Sequence, residues 1–181
     1  MDVAGVLIDR LGGTTEQRAA FDAMFQRAIE WRRQYARSPE QKPTRAGVRA
    51  NIGKLERPQP QVRWEAAWRL AFADPDPEVL AALRAHLGDP DPRARSGIAA
   101  ALAKLGDRQS LDAIIDLLRV EPGRYSATTI ADGLGVFALR DAEARKVIEP
   151  ALRDRLSSAL GFDRVELQAI LDRLDSRRSR V

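Results

Sequence analysis

Apolar side chains return every third or fourth position from residue 60 to residue 155, the spacing that collects them on one face of an α-helix. Ile98, Leu102 and Leu105 mark such a face between Pro92 and about Leu105, and Leu111, Ile114, Ile115 and Leu118 mark the next. Val62, Ala66 and Leu70, then Val79, Leu83 and Leu87, form the preceding pair; Ile130, Leu134 and Phe137, then Ala144, Val147, Ile148 and Leu152, form the following one after a one-residue slip. The pattern itself repeats. "VRWEAAWRL" from Val62 aligns with "ARSGIAAAL" from Ala94 at a shift of 32, and Ile130, Ala131 and Leu134 continue it. Pro58, Pro90 and Pro122 keep the same period. Three two-helix units are predicted, so the chain is expected to be all-α, an α-α superhelix in which neighbouring pairs bury one another's apolar faces.

The tetrapeptide "DPDP" occurs twice, starting at Asp74 and at Asp89. Four carboxylates invite a cation site, but hard-cation sites gather about six or more oxygens. With a half-repeat of about 16 residues, the two copies stand before successive helices. Asp before proline disfavours helix, the next Asp can cap one, and proline at the first helical position loses no hydrogen bond. The motif is therefore expected to place helix starts after Asp76 and Asp91.

Extending the period backward, "TRAGVRANIGKL" fits a second-helix slot capped by Thr44, with Val48, Ile52 and Leu55 inward. Before it, a Thr14-x-x-Gln17 capping box opens a long helix with Phe21, Met24, Phe25, Ala28, Trp31 and Tyr35 on one face. A short helix before Gly12-Gly13, a loop at "SPEQKP" and a last helix from about Asp163 to Leu174 complete the outline. Residues 1–57 are expected to form a helical capping unit, residues 58–175 the repeats with their closing helix, and residues 176–181 a basic disordered tail.

The strings "PQPQVRWEAAWRLAFADPDP" and "DPDPRARSGIAAALAKLGD" resemble HEAT-like repeats of the phycobilisome-lyase type, with Arg63 and Arg95 at the repeat arginine and Gly106-Asp107 at the closing turn. The likeness is strong over residues 58–119 and weaker to about 155, where Ala127 replaces the arginine. It implies stacked antiparallel helices that usually bind proteins, and it does not imply lyase chemistry. The deoxyhypusine-hydroxylase type would need His-Glu pairs for two irons, whereas the single histidine, His86, is followed by Leu87. A base-excising HEAT-like DNA glycosylase is the alternative from another class, with Asp132, Trp64, Trp68 and Tyr125 as its candidate site. A chromophore chaperone is a further one.

Charge narrows these choices. Residues 1–60 hold 11 Lys and Arg against 7 Asp and Glu, residues 61–175 hold 16 against 19, and three arginines follow. The repeat body is slightly acidic, which disfavours nucleic acid because duplex binding rests on phosphate neutralisation. The 181 residues contain no cysteine, excluding disulfides and thiolate metal sites. No apolar run is long enough to span a bilayer, and a cytoplasmic location is expected. The expected function is a non-enzymatic scaffold or adaptor that needs no cofactor or metal, has no catalytic residues, and binds another protein or peptide. Its concave surface is expected to be lined by the second helices, through Arg84, Asp112, Asp116, Arg119 and Arg145, together with Trp64 and Trp68. The tryptophans lie roughly 140° from the Ala66–Leu70 direction at 100° per residue, facing outward or toward the capping unit. Arg63 and Arg95 are expected to bond acids or carbonyls in adjacent turns, and Gly133 and Gly135 to admit close helix packing. Arg32, Arg33 and Arg37, and Arg177, Arg178 and Arg180, are read as a solvated helix end and a tail.

Overall fold

The computed structural model describes Thr14, residues 42–121 and residues 124–178. The long aromatic helix, the short one before it, the arginines at 32, 33, 37 and 180, and the side chains of Arg177 and Arg178 lie outside the described residues. From Lys42 onward the chain forms one compact unit. Its helices are α1 (Arg45–Lys54), α2 (Pro60–Leu70), α3 (Pro77–Ala85), α4 (Pro92–Leu105), α5 (Leu111–Val120), α6 (Arg124–Arg140), α7 (Ala142–Ser158) and α8 (Gly161–Arg178), with a 3₁₀ turn at Arg108–Ser110. There is no strand among the described residues.

Local chemistry sets the helix starts. Thr44 Oγ1 accepts from the Gly47 amide at 3.1 Å, and Asp76 accepts from the Glu78 amide at 2.8 Å. Asp91 accepts from the amides of Arg93 and Ala94, each at 3.0 Å. Proline follows at the first position of α2, α3 and α4, so the tetrapeptide does punctuate helices. α4 stops at Gly106, whose φ of 77° lies in the left-handed region that favours glycine.

α2, α4, α6 and α8 pack side by side in one layer, and α1, α3, α5 and α7 form the second. Leu70, Leu83, Ile98, Leu102, Ile114, Leu118, Ile130, Leu134, Ile148, Leu152 and Leu167 are fully buried between them. α4 is enclosed between α2 and α6 as well as covered by the second layer, which is why Ala99 through Ala103 are all buried. Small side chains are what let three helices lie in contact there. A Cβ on Gly133 would stand 2.7 Å from the Ala100 carbonyl oxygen, and one on Gly135 would stand 2.7 Å from Ile170 Cγ2. Two expected core positions are corrected. Val147 is 48 % exposed, because it points about 85° away from the mean direction of Ala144, Ile148, Ala151 and Leu152 at 100° per residue. Val62 is half-buried for the same reason. Leu87 and Leu105 pack against the core without being enclosed by it.

The repeat arginines act as expected. Arg63 donates to both Asp89 oxygens at 2.6 and 2.8 Å and to the carbonyls of Arg57 and Pro58 at 2.9 Å. One guanidinium thus joins the turn before α2 to the turn after α3. Arg95 repeats this with Glu121 and the Asp89 and Pro90 carbonyls. At Ala127 the series breaks, and Arg155 of α7 donates to the Glu121 carbonyl at 3.1 Å instead. Burial alone would raise the Asp89 carboxyl, but the Arg63 bonds, the Asp91 amide and the charges of Arg63 and His86 hold it below the usual carboxylate range.

Candidate functional site

α2 carries Trp64 and Trp68 one turn apart, and Phe72 follows just past its end. The indoles stack with centroids 6.0 Å apart and planes 17° from parallel, and Phe72 meets Trp68 edge-on at 5.5 Å. Rather than standing clear of the repeats, these half-buried rings lie along the seam with α4. Gly97 makes room there: a Cβ on it would come 2.6 Å from Trp64 Cδ1. The expected alternative contact, against the aromatic face of the long amino-terminal helix, lies outside the described residues.

One cation organises the row. Lys104 Nζ stands 4.5 Å from the Trp68 ring centroid and 5.8 Å from that of Phe72. It is also 3.2 Å from an Asp132 oxygen, with its side chain only 12 % exposed. The second Asp132 oxygen lies 3.6 Å from Arg173 Nη2. Trp68, Lys104, Asp132 and Arg173 therefore form a line across all four helices of the first layer. A cation over an indole face is worth about 0.5 to 2 kcal/mol, more as water is excluded.

The remaining sequence-derived candidates stand on the second layer. Arg84 of α3 is committed to Asp107, donating from Nε at 2.9 Å and also from Nη2, and Asp107 accepts from Ser110 Oγ at 2.6 Å. Burial would raise the Asp107 carboxyl; the Arg84 and Ser110 bonds bring it below its ordinary value. Arg145 of α7 pairs with Glu149 at 3.0 Å and donates to the Leu174 carbonyl at 2.9 Å. Both arginines join neighbouring elements. Asp112, Asp116 and Arg119 are exposed on α5, the last two paired at 3.0 Å. The candidates thus divide between two layers: the structure brings together the tryptophans on one, and Asp116 with Arg119 on the other. Tyr125, 72 % exposed, precedes Asp132 by about 10 Å along α6 at 1.5 Å per residue, so these two do not join in one site.

The acids of the two tetrapeptides are engaged separately: Asp74 with Lys42 at 2.6 Å, Asp89 with Arg63, and Asp76 and Asp91 as caps. Half-buried His86 bonds the Ala82 carbonyl through Nδ1 at 2.9 Å and faces Glu56 at 3.2 Å. Sequence reasoning missed Gly97 and Lys104. The signal for Gly97 was a glycine inside a helix otherwise rich in alanine; Lys104 carried no signal beyond its charge.

Residues 48–135 match the family model described as HEAT repeats, spanning α2 to α5 and parts of α1 and α6. No curated protein matches the chain. With the all-helical, two-layered stack, that match supports a HEAT-like repeat protein. HEAT repeats generally mediate protein–protein interaction. No helix among the described residues is long and apolar enough to cross a membrane.

Proposed function

We propose that this stack of HEAT repeats is a non-enzymatic adaptor that binds a protein or peptide segment, with the aromatic row of the first layer as its main contact. The carrying observation is the line from Trp64 and Trp68 through Lys104 to Asp132. Tryptophan is among the residues that most often dominate binding energy at protein interfaces. Stacked helices hold such residues in fixed positions, which lowers the ordering cost of association. Asp112, Asp116 and Arg119 on the opposite layer are a secondary contact, and the amino-terminal segment is assigned the role of setting specificity. Arg63, Arg95 and Gly106-Asp107 support the phycobilisome-lyase subtype of repeat, though only as architecture. A cytoplasmic location fits this role.

Affinity capture with the wild-type chain and with Trp64→Ala/Trp68→Ala tests the assignment. Loss of a co-purifying partner by the folded double variant is expected, and undiminished recovery removes the aromatic row from the interface. Binding to duplex DNA measured at two salt concentrations separates the base-excising alternative. A salt-sensitive complex would favour that alternative over the adaptor.

A further inference from the structure

The surroundings of Lys104 sharpen the binding assignment above and rest on it. An ammonium at this point meets the face of Trp68, the Phe72 ring and the Asp132 carboxylate. These are the groups that recognise a cationic side chain. The present occupant is tethered, yet has somewhere to go. Lys104 lies in the last turn of α4 and borders a surface cavity of about 230 Å³ also lined by Leu105, Gly106, Phe137, Arg140 and Asp141. Its flexible stem can swing toward that space and the solvent beyond; the Asp141 carboxylate at its border is already engaged by Arg108 and by the amides of Glu143 and Ala144. The repeat body that an incoming segment approaches is slightly acidic, with 16 Lys and Arg against 19 Asp and Glu over residues 61–175.

We propose that Lys104 is a built-in stand-in for a lysine or arginine side chain of the partner, and that binding exchanges one cation for the other between Trp68 and Asp132. The exchange keeps one cation in the box, so it contributes little affinity of its own. Affinity comes from the flanking contacts, Trp64 first. The tethered lysine acts as a filter: a segment that brings a cation without those contacts does not displace it, because the fraction of chains with an open box limits apparent affinity.

Lys104→Met removes the ammonium and keeps most of the stem. Tryptophan fluorescence of the full chain is titrated with tetramethylammonium chloride against sodium chloride at matched ionic strength, and with acetyl-Gly-Arg-Gly-amide against its citrulline counterpart. The variant is expected to bind tetramethylammonium and the arginine peptide about tenfold or more tightly than wild type does, and to prefer arginine over citrulline. Adding Asp132→Asn is expected to abolish the gain. Lys104→Gln repeats the comparison if the methionine variant is poorly folded. Equal affinities for wild type and variant, or for the two peptides, overturn the exchange. If Trp64→Ala/Trp68→Ala still loses its partner in that case, the adaptor assignment stands and only the exchange fails.

Discussion

Adding one methyl group at three helical glycines gives three different outcomes if the packing described for α4 is right. At Gly53, near the end of α1, nothing lies within 4 Å of where the methyl would stand. Gly53→Ala therefore gains helix propensity alone, about 0.5 to 1 kcal/mol. At Gly97 the methyl meets Trp64 Cδ1 at 2.6 Å and Nε1 at 3.1 Å. The indole is a side chain and can yield, at the cost of its stack on Trp68. Gly97→Ala is expected to fall near neutral in stability while changing tryptophan emission. At Gly133 the obstacle is backbone: Ala100 O at 2.7 Å and Ala100 Cα at 2.8 Å. An ordinary carbon contact needs about 3.5 Å or more, so α4 and α6 must separate by several tenths of an ångström. Their neighbours resist, since Ala99, Ala100, Ala101 and Ala131 are all buried. Overpacking costs about 1 to 3 kcal/mol, and the propensity gain of about 1 kcal/mol offsets part of it. The net loss is between about 0 and 2 kcal/mol, or up to roughly 8 °C in Tm. Urea unfolding followed by circular dichroism at constant m reads all three. A Gly133→Ala chain stabilised as much as Gly53→Ala would refute direct contact between α4 and α6.

The two tetrapeptides provide a second contrast. Asp89→Ala strands the buried Arg63 guanidinium and is expected to cost about 3 to 5 kcal/mol, whereas Asp74→Ala breaks an exposed pair with Lys42 and is expected to cost under about 1 kcal/mol; similar urea midpoints for the two would refute the assignment. Asp91→Ala removes an oxygen that caps α4 through two amides and should lose about 1 kcal/mol, largely recovered by Asn. Acid sensitivity follows from Asp89, Asp107, Asp141 and Glu149, all held below their ordinary carboxyl values, Asp141 first by the Ala144 amide and Glu149 first by Arg153. A depressed folded value stabilises the fold fully above the unfolded value, about 4, and this contribution is lost as pH falls through the folded values. Urea midpoints are thus expected to fall below about pH 4 on account of these groups; a Glu149→Gln chain with an unaltered acid slope argues against that residue's share.

Much of this unit can be read from its residues, because its repeats mark their own boundaries. The bounds of α4 follow from an Asp-Pro start and a Gly-Asp stop, and the roles of Arg63, Arg95, Gly133 and Gly135 follow from their places in the period. Val147 and Val62 were misplaced because a spacing of three or four also admits positions at the margin of an apolar stripe. The Lys104 box was hidden for a different reason. In the 32-residue register Trp68 matches Ala100, and Lys104 matches Val136. The contact arises because a long side chain reaches across a turn to rings and a carboxylate on two other helices. Arg155 was equally out of sight: it acts in place of the arginine missing at position 127, from a helix that no alignment of first helices includes.

The arginine bridge has a consequence for how such a chain lengthens or shortens. Arg63 holds the carbonyl of Pro58 and the carboxylate of Asp89 together, so the segment between them enters and leaves the stack at nearly the same place. It is a cassette with its ends already clasped, and copying or deleting it whole leaves the rest of the chain in register. The next cassette, closed by Arg95, has the same property. The third lacks the clasp, since Ala127 stands at the arginine position and α7 runs on to Ser158 with no acid just past its end. Growth by duplication is therefore expected to be tolerated up to Glu121, while an insertion beyond it would need an arginine at 127 and an acid in the turn after α7 before its own ends would meet.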